Sequence, residues 1–512
     1  MKTRSKFTIL FSLALISTFL ITACSKKTPQ QPQQRVLVKI GDKRTITYDE
    51  FIERAEYTIR PPYAKGNSFV DKKVILNSLI AEKLMAIEAG DEVPLLESEQ
   101  FQNFINGRKE QEMRRFLFHH EGTRKANVDT NAISTYYRWA GREYEVEYFT
   151  VMTPQMADSV LHMLNEQDMS FEEAYSSIVG DNAELPTHTI DWDKEGSDAI
   201  IDAVYSDTLE LGQIVGPVQT EEGIFTTMRI KDWTTTLTLT DEQVLDRWDR
   251  VSERVERLAA EKAYAEFVGE VMRGKEVDFD RDTFFEMADI LKDFYIKSPE
   301  ERKQSFNAQY WHGATPDVKP QDYAGSFERI KDQPLLTIDG ETWTVDRFRD
   351  ELARHPLVFR KRNINNANFP YELRLAVVDL IRDKYLTEVA YDRGYDEINI
   401  VKQEELMWRD NAVANFHAGN VLREMGSTYN FNKNYLQAID EYLNSYVDSL
   451  QTEYSDQIGV NIELFKDMEL TRIDMFVMDK NVPFPVKVPQ FPHLTTDTRL
   501  DYGYEMTPAE AR

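Results

Sequence analysis

The chain starts again partway along its length. Val36-Leu-Val-Lys-Ile40, a turn at Gly41-Asp42 and Thr47-Tyr-Asp-Glu-Phe51 reappear as Leu335-Leu-Thr-Ile338, Asp339-Gly340 and Trp343-Thr-Val-Asp-Arg-Phe348. Leu79-Ile-Ala-Glu-Lys-Leu84 reappears as Leu380-Ile-Arg-Asp-Lys-Tyr385, and both offsets are about 300 residues. Val277-Asp-Phe279 and Val460-Asn-Ile462 are weaker echoes, each following a long helical pattern. A repeat on this scale restricts the fold to two related units. Each unit opens with a short hairpin, and a helix follows. In the first unit Thr47 and Glu50 have capping-box spacing. Leu76, Leu79, Ile80, Leu84 and Ile87 then share one face of a helix over about 70–89, and Gly90 ends it. Helical periodicity continues through Phe101 to Phe118. In the second unit about 390–454 reads as mostly helical, and 462–477 suggests strands. The fold class that follows is α+β, mostly helical.

Between the two units lies a stretch with a different rhythm. Tyr144-Glu-Val-Glu-Tyr-Phe-Thr-Val151 alternates like a half-buried strand. Ala157, Val160, Leu161 and Leu164 form a helical stripe, and Phe171, Ala174 and Tyr175 suggest a second short helix. Gly212 and Gly216-Pro217 mark turns, Val218 to Thr220 a strand, Glu221-Glu-Gly223 a turn, and Phe225 to Ile230 a last strand. After Trp233 a threonine-rich run leads to a capping box at Thr240 and Gln243. Val244, Trp248, Val251, Val255 and Leu258 then stripe a long helix reaching about Met272. That stripe suits a face packed on the N-terminal helices; a coiled-coil seam is the sharper alternative.

Leu209, Gly212, Gly216, Pro217, Val218, Thr220 and Gly223 follow the closing pattern of a parvulin-type peptidyl-prolyl isomerase domain, which 143–235 resembles. The resemblance implies a small α/β domain with a groove for extended chain, lined here by Tyr148, Pro217 and Phe225. It also implies two histidines, one on the first strand and one just after the last Gly. Tyr148 and Phe225 stand in the matching runs instead. Rotation about a prolyl bond faces a barrier of roughly 18–20 kcal/mol. Phe225 desolvates an amide but offers it no hydrogen bond, and Tyr148 offers one hydroxyl. A domain that grips chain without turnover is one expectation, a spacer of the same fold another, and an active isomerase with an altered site a third; separately, His188, in the poorly matching middle, could replace a lost histidine. The hairpin and the Leu79–Leu84 run resemble the N-terminal chaperone region of SurA- and PrsA-type foldases. The implied organisation is a helical region at 36–142, the parvulin-like domain at 143–235, a helical region at 236–330 completing the first half, a second SurA-N-like repeat without the insert at 331–480, and a Pro-rich tail at 481–512.

The first residues suggest an address. Lys2, Arg4 and Lys6 precede an apolar run from Phe7 to Ile21, too short to span a bilayer comfortably. Leu20-Ile-Thr-Ala-Cys24 resembles a bacterial lipoprotein box, which implies removal of 1–23, a lipid on Cys24 and a polar tether at 24–35. Cys24 is the one cysteine, so the mature chain forms no internal disulfide. Ser25 after it, rather than Asp, points to the outer membrane, facing the periplasm. Loss of three cations takes the net charge from −27 to −30. Such a chain repels nucleic acid and anionic lipid surfaces. The eight histidines show no metal-ligand spacing, and no phosphate-cradling loop or nucleophile elbow occurs, so no cofactor or metal is expected. The expected partners are unfolded or extended polypeptides; a structural subunit of an outer-membrane assembly or secretion complex is the alternative.

Overall fold

A computed structural model describes residues 34–180, 184–220, 223–296, 327–361, 364–427, 431–471, 475 and 486–507. Cys24, the leader and most of the tether lie outside them. Among the described residues the protein is α+β and 57% helical, with three small sheets.

Both copies of the repeat begin as the sequence predicts. The first has β1 (Val36–Ile40), β2 (Arg44–Thr47), α1 (Tyr48–Glu56) and α2 (Phe69–Ala89). Thr47 Oγ1 accepts from the Glu50 backbone N–H, but the Glu50 carboxylate turns to Lys83, so only half of the expected capping box forms; Ser68 and Asp71 form a full one on α2. Gly90 stops α2 at φ +69°. The second has β8 (Pro334–Ile338), β9 (Glu341–Thr344), α10 (Val345–Arg354) and α11 (Phe369–Asp392).

A two-stranded hairpin is marginal alone and needs a third strand. Each hairpin takes it from the other half. β1 pairs antiparallel with β10 (Ile458–Val460), Val38 opposite Val460. β8 pairs antiparallel with β7 (Val277–Phe279), Phe279 opposite Leu336. The helix after β7, α9 (Arg281–Tyr295), also packs its Met287 and Leu291 into the core around Trp343 and Phe348. The end of the 236–330 region therefore completes the second repeat, not the first. α12 (Asn399–Glu424) and α13 (Asn444–Glu453) return the exchange by closing the core over Leu37, Phe51 and Leu79.

One other expectation changes. Ile462–Asp467 is a helix, α14, capped by Asn461, rather than a strand. The described part of the tail is extended but packed: Phe491 and Leu494 enter the first core, and β11 (Tyr504–Glu505) lies parallel to β10. Apolar residues spaced among the prolines make the tail a strap.

Because α2 runs through the middle of this exchange, its polar residues are buried too. Arg54 binds Glu82 through two 2.8 Å hydrogen bonds, with both side chains fully buried. Lys83 lies 2.9 Å from Glu50 and 3.4 Å from Asp410 of α12; Asn411 donates to Glu82. Charges from both halves thus neutralise one another inside the core.

The region 142–235 stands between α4 (Thr130–Trp139) and α8 (Asp241–Val271). Thr240 and Gln243 form the expected capping box on α8. The Arg142 guanidinium sits 4.2 Å from the Trp139 ring and 4.5 Å from Trp233, closing the neck of this module. Val251 and Val255 of α8 pack into the module's own core, so the apolar stripe serves as a core face.

Candidate functional site

The module is one four-stranded sheet in the order β4-β3-β6-β5. Its strands are β3 (Arg142–Val151), β4 (Thr187–Asp191), β5 (Ile214–Gln219) and β6 (Phe225–Thr235). Three helices flank them: α5 (Pro154–Asn165), α6 (Phe171–Val179) and α7 (Asp198–Tyr205).

The pairing of β3 with β6 decides which residues share a face. Tyr148 lies opposite Met228, and Val151 opposite Phe225. Directly paired residues point to one side, and successive residues alternate. Tyr148 and Phe225 therefore project from opposite faces. Phe225 packs with Phe149, Val151, Phe171 and Ala174 under α5 and α6. It is a core residue of the closed face, so the expected groove of Tyr148, Pro217 and Phe225 does not form. Pro217 is half-buried in a bulge where β5 breaks register with β6. Gly216 makes that bulge possible: a Cβ there would fall 2.5 Å from the Thr226 carbonyl oxygen, and φ is +106°.

The other face is covered at one end and open at the other. Tyr144, Val146, Ile190 and Ile230 pack beneath α7 and α8. The Tyr205 hydroxyl donates to the carbonyls of Arg142 (2.8 Å) and Ile190 (3.1 Å), tying α7 to both strands. Burial holds that hydroxyl's pKa well above the ordinary tyrosine value, so it stays a donor. Towards the open end lie Tyr148, Val215 and Val218, half-buried, with Met228 and Thr226 beneath them.

His188 joins this end. It pairs with Val146 across the strands and so shares Tyr148's face. Its ring meets Tyr148 edge to face at 6.0 Å, and Nε2 lies 3.3 Å from Glu195 Oε2. The Glu195 side chain is only 10% exposed, and its Oε1 accepts from the Ser197 backbone N–H. The site thus offers a phenol hydroxyl and an imidazole oriented by a carboxylate, above an apolar floor. That set can desolvate an extended segment and hydrogen-bond its carbonyls. Sequence reasoning placed Tyr148 and His188 individually. It missed Met228, Thr226 and Glu195, because only strand register puts them there.

No model of a known protein family matches the chain, and neither does any curated protein. The site's chemistry must therefore be argued from its own residues.

β4 is an edge strand. Thr187, His188 and Thr189 are exposed. Tyr148 N–H bonds to the Pro186 carbonyl, which fixes Val146 and His188 as a bonded pair. The backbone groups of Thr187 and Thr189 consequently face outward, away from β3. Beyond the open face, Arg229 bridges Glu147 (Nε to Oε2, 2.9 Å) and Glu172 (Nη1 to Oε2, 3.0 Å), and this pairing holds the Glu172 carboxyl below its usual range. Among the described residues no group of three His, Cys, Asp or Glu could hold a metal ion, and no helix is long and apolar enough to cross a membrane.

Proposed function

We propose that the protein is a lipid-anchored, periplasm-facing chaperone of the SurA/PrsA kind, and that it holds unfolded or extended polypeptide at the open face of a parvulin-like module. The observation that carries this reading is the half-open apolar face of Tyr148, Val215 and Val218 over Met228, joined through the Tyr148–His188 ring contact to the free edge of β4. A chain laid across that face would gain side-chain burial, and one added to β4 would gain main-chain hydrogen bonds and contact with His188. The module also has the element order that the resemblance implies, opening strand, helices, Gly-Pro bulge and closing strand pair, within one sheet. The interlocked repeat would then serve as the rigid mount.

The test is binding of the full mature chain to a permanently unfolded, carboxymethylated polypeptide. Saturable binding that Tyr148→Ala weakens supports the reading; no binding, or binding indifferent to this change, rejects it.

A second reading has its own observation. Tyr148 and His188 in ring contact, with Glu195 behind, place two polar groups side by side where an amide could lie against them. Under that reading a protease-coupled assay on a proline tetrapeptide gives a rate above background that His188→Ala abolishes. A background rate leaves holding as the module's role.

A further inference from the structure

We infer that the open edge of the module selects extended segments carrying lysine or arginine on both sides of an apolar or aromatic residue. The inference rests on the holding function proposed above and names the class of chain that is held. Residues 142–235 contain 20 carboxylates against four basic side chains, a net −16, whereas the other 418 residues together carry −11. Part of that charge is paired, as Arg229 holds Glu147 and Glu172 and Arg254 and Arg257 hold Asp198, but most carboxylates have no cation from the module itself. Glu184, just before β4, is exposed and makes no ion pair among the described residues. Asp193, just beyond β4, is half-exposed and reaches only Arg250, at 3.6 Å. These two carboxylates bracket the exposed strand, with the Tyr148–His188 face between them.

Geometry then sets the spacing. A chain added to β4 advances about 3.3 Å per residue. Glu184 and Asp193 are nine positions apart in sequence, so cations about six to nine residues apart would meet one at each end. Between them, the side chain opposite His188 would pack on the His188 ring, on the Tyr148 side of the strand. Negative potential over the whole module would steer such segments in, and a Glu-flanked segment would be repelled at both ends. Thr187 and Thr189 carry no charge to oppose either backbone approach.

Three fluorescein-labelled ten-residue peptides test this with the full mature chain, by anisotropy. All share a Val-Tyr-Val centre and differ only in Lys, Gln or Glu at both ends. At 50 mM salt the Lys peptide is expected to bind about 10-fold tighter than the Gln peptide. The gap should shrink to about twofold at 500 mM, because exposed charges are screened. Glu184→Gln with Asp193→Asn should remove most of the Lys advantage and leave the Gln peptide unchanged. Equal affinities for Lys and Gln peptides would overturn the inference while sparing the holding function. So would a Lys advantage that the double variant does not touch. No binding by any peptide would overturn both.

Discussion

In the interlocked body, Arg54, Glu82, Lys83 and Asp410 lie out of contact with water, and each finds its opposite charge on another element. In the central module, carboxylates outnumber basic side chains five to one, and Glu184 and Asp193 face solvent. The body spends its charges on joining two halves of one chain. The module leaves its charges and one sheet edge available. Body and module thus differ in where their charges go.

The comparison breaks most easily at Glu82. Glu82→Ala would leave Arg54 buried without its carboxylate, a loss of about 3–5 kcal/mol. Urea denaturation followed by far-ultraviolet circular dichroism should show the body's transition shifted by that much. A shift under 1 kcal/mol would mean that water reaches the pair and that body and module differ less than argued.

The two faces of the sheet sharpen the contrast within the module. Phe225→Ala should cost about 1–3 kcal/mol of stability, since Phe225 fills the closed core only in part. It should leave polypeptide affinity unchanged at temperatures where the module stays folded. An affinity loss without a stability loss would return Phe225 to the binding surface.

A smaller effect separates paired from crowded charge in the body. Glu404 of α12, Glu112 and Glu53 converge on Arg115 of α3 (Glu99–Phe118). Glu112, Glu404 and Arg115 border a pocket of roughly 260 Å³, measured to its open mouth, that Arg108, Trp408 and Lys487 also line. Burial pushes Glu112 up to about 7, and burial with the neighbouring Glu112 and Glu53 charges pushes Glu404 well up. A carboxyl whose folded pKa is raised binds protons on folding. Its contribution is full below the ordinary value near 4.5 and is lost as pH rises through the folded value. The chain should therefore be more stable at pH 5 than at pH 8. Glu404→Gln should flatten that slope and raise stability at pH 8 by about 1–2 kcal/mol, read from thermal midpoints. An unchanged slope would place the titration elsewhere.

Much of this architecture could be read from the residues, and the failures share a cause. The repeat, the helix start at Thr47, the capping box at Thr240 and the stop at Gly90 are local signals, and local hydrogen bonds decide them. That β7 pairs with β8, and β10 with β1, depends on contacts across hundreds of residues. Periodicity is silent about which of two similar hairpins a short strand completes. The site failed for the same reason on a smaller scale. Tyr148 and Phe225 were aligned by motif, but side chains alternate along a strand, and a register offset of three puts the two on opposite faces. His188 had a position in sequence and no place in space until β4 was paired with β3.

The account stands on the open face as the holding surface. Its most direct measurement is the dissociation constant for an unfolded polypeptide of the Tyr148→Ala, His188→Ala double variant, with circular dichroism confirming an intact fold. The account predicts affinity weakened about 10-fold, comparable to losing one buried aromatic anchor and its polar neighbour. Unchanged affinity in a folded double variant would contradict it.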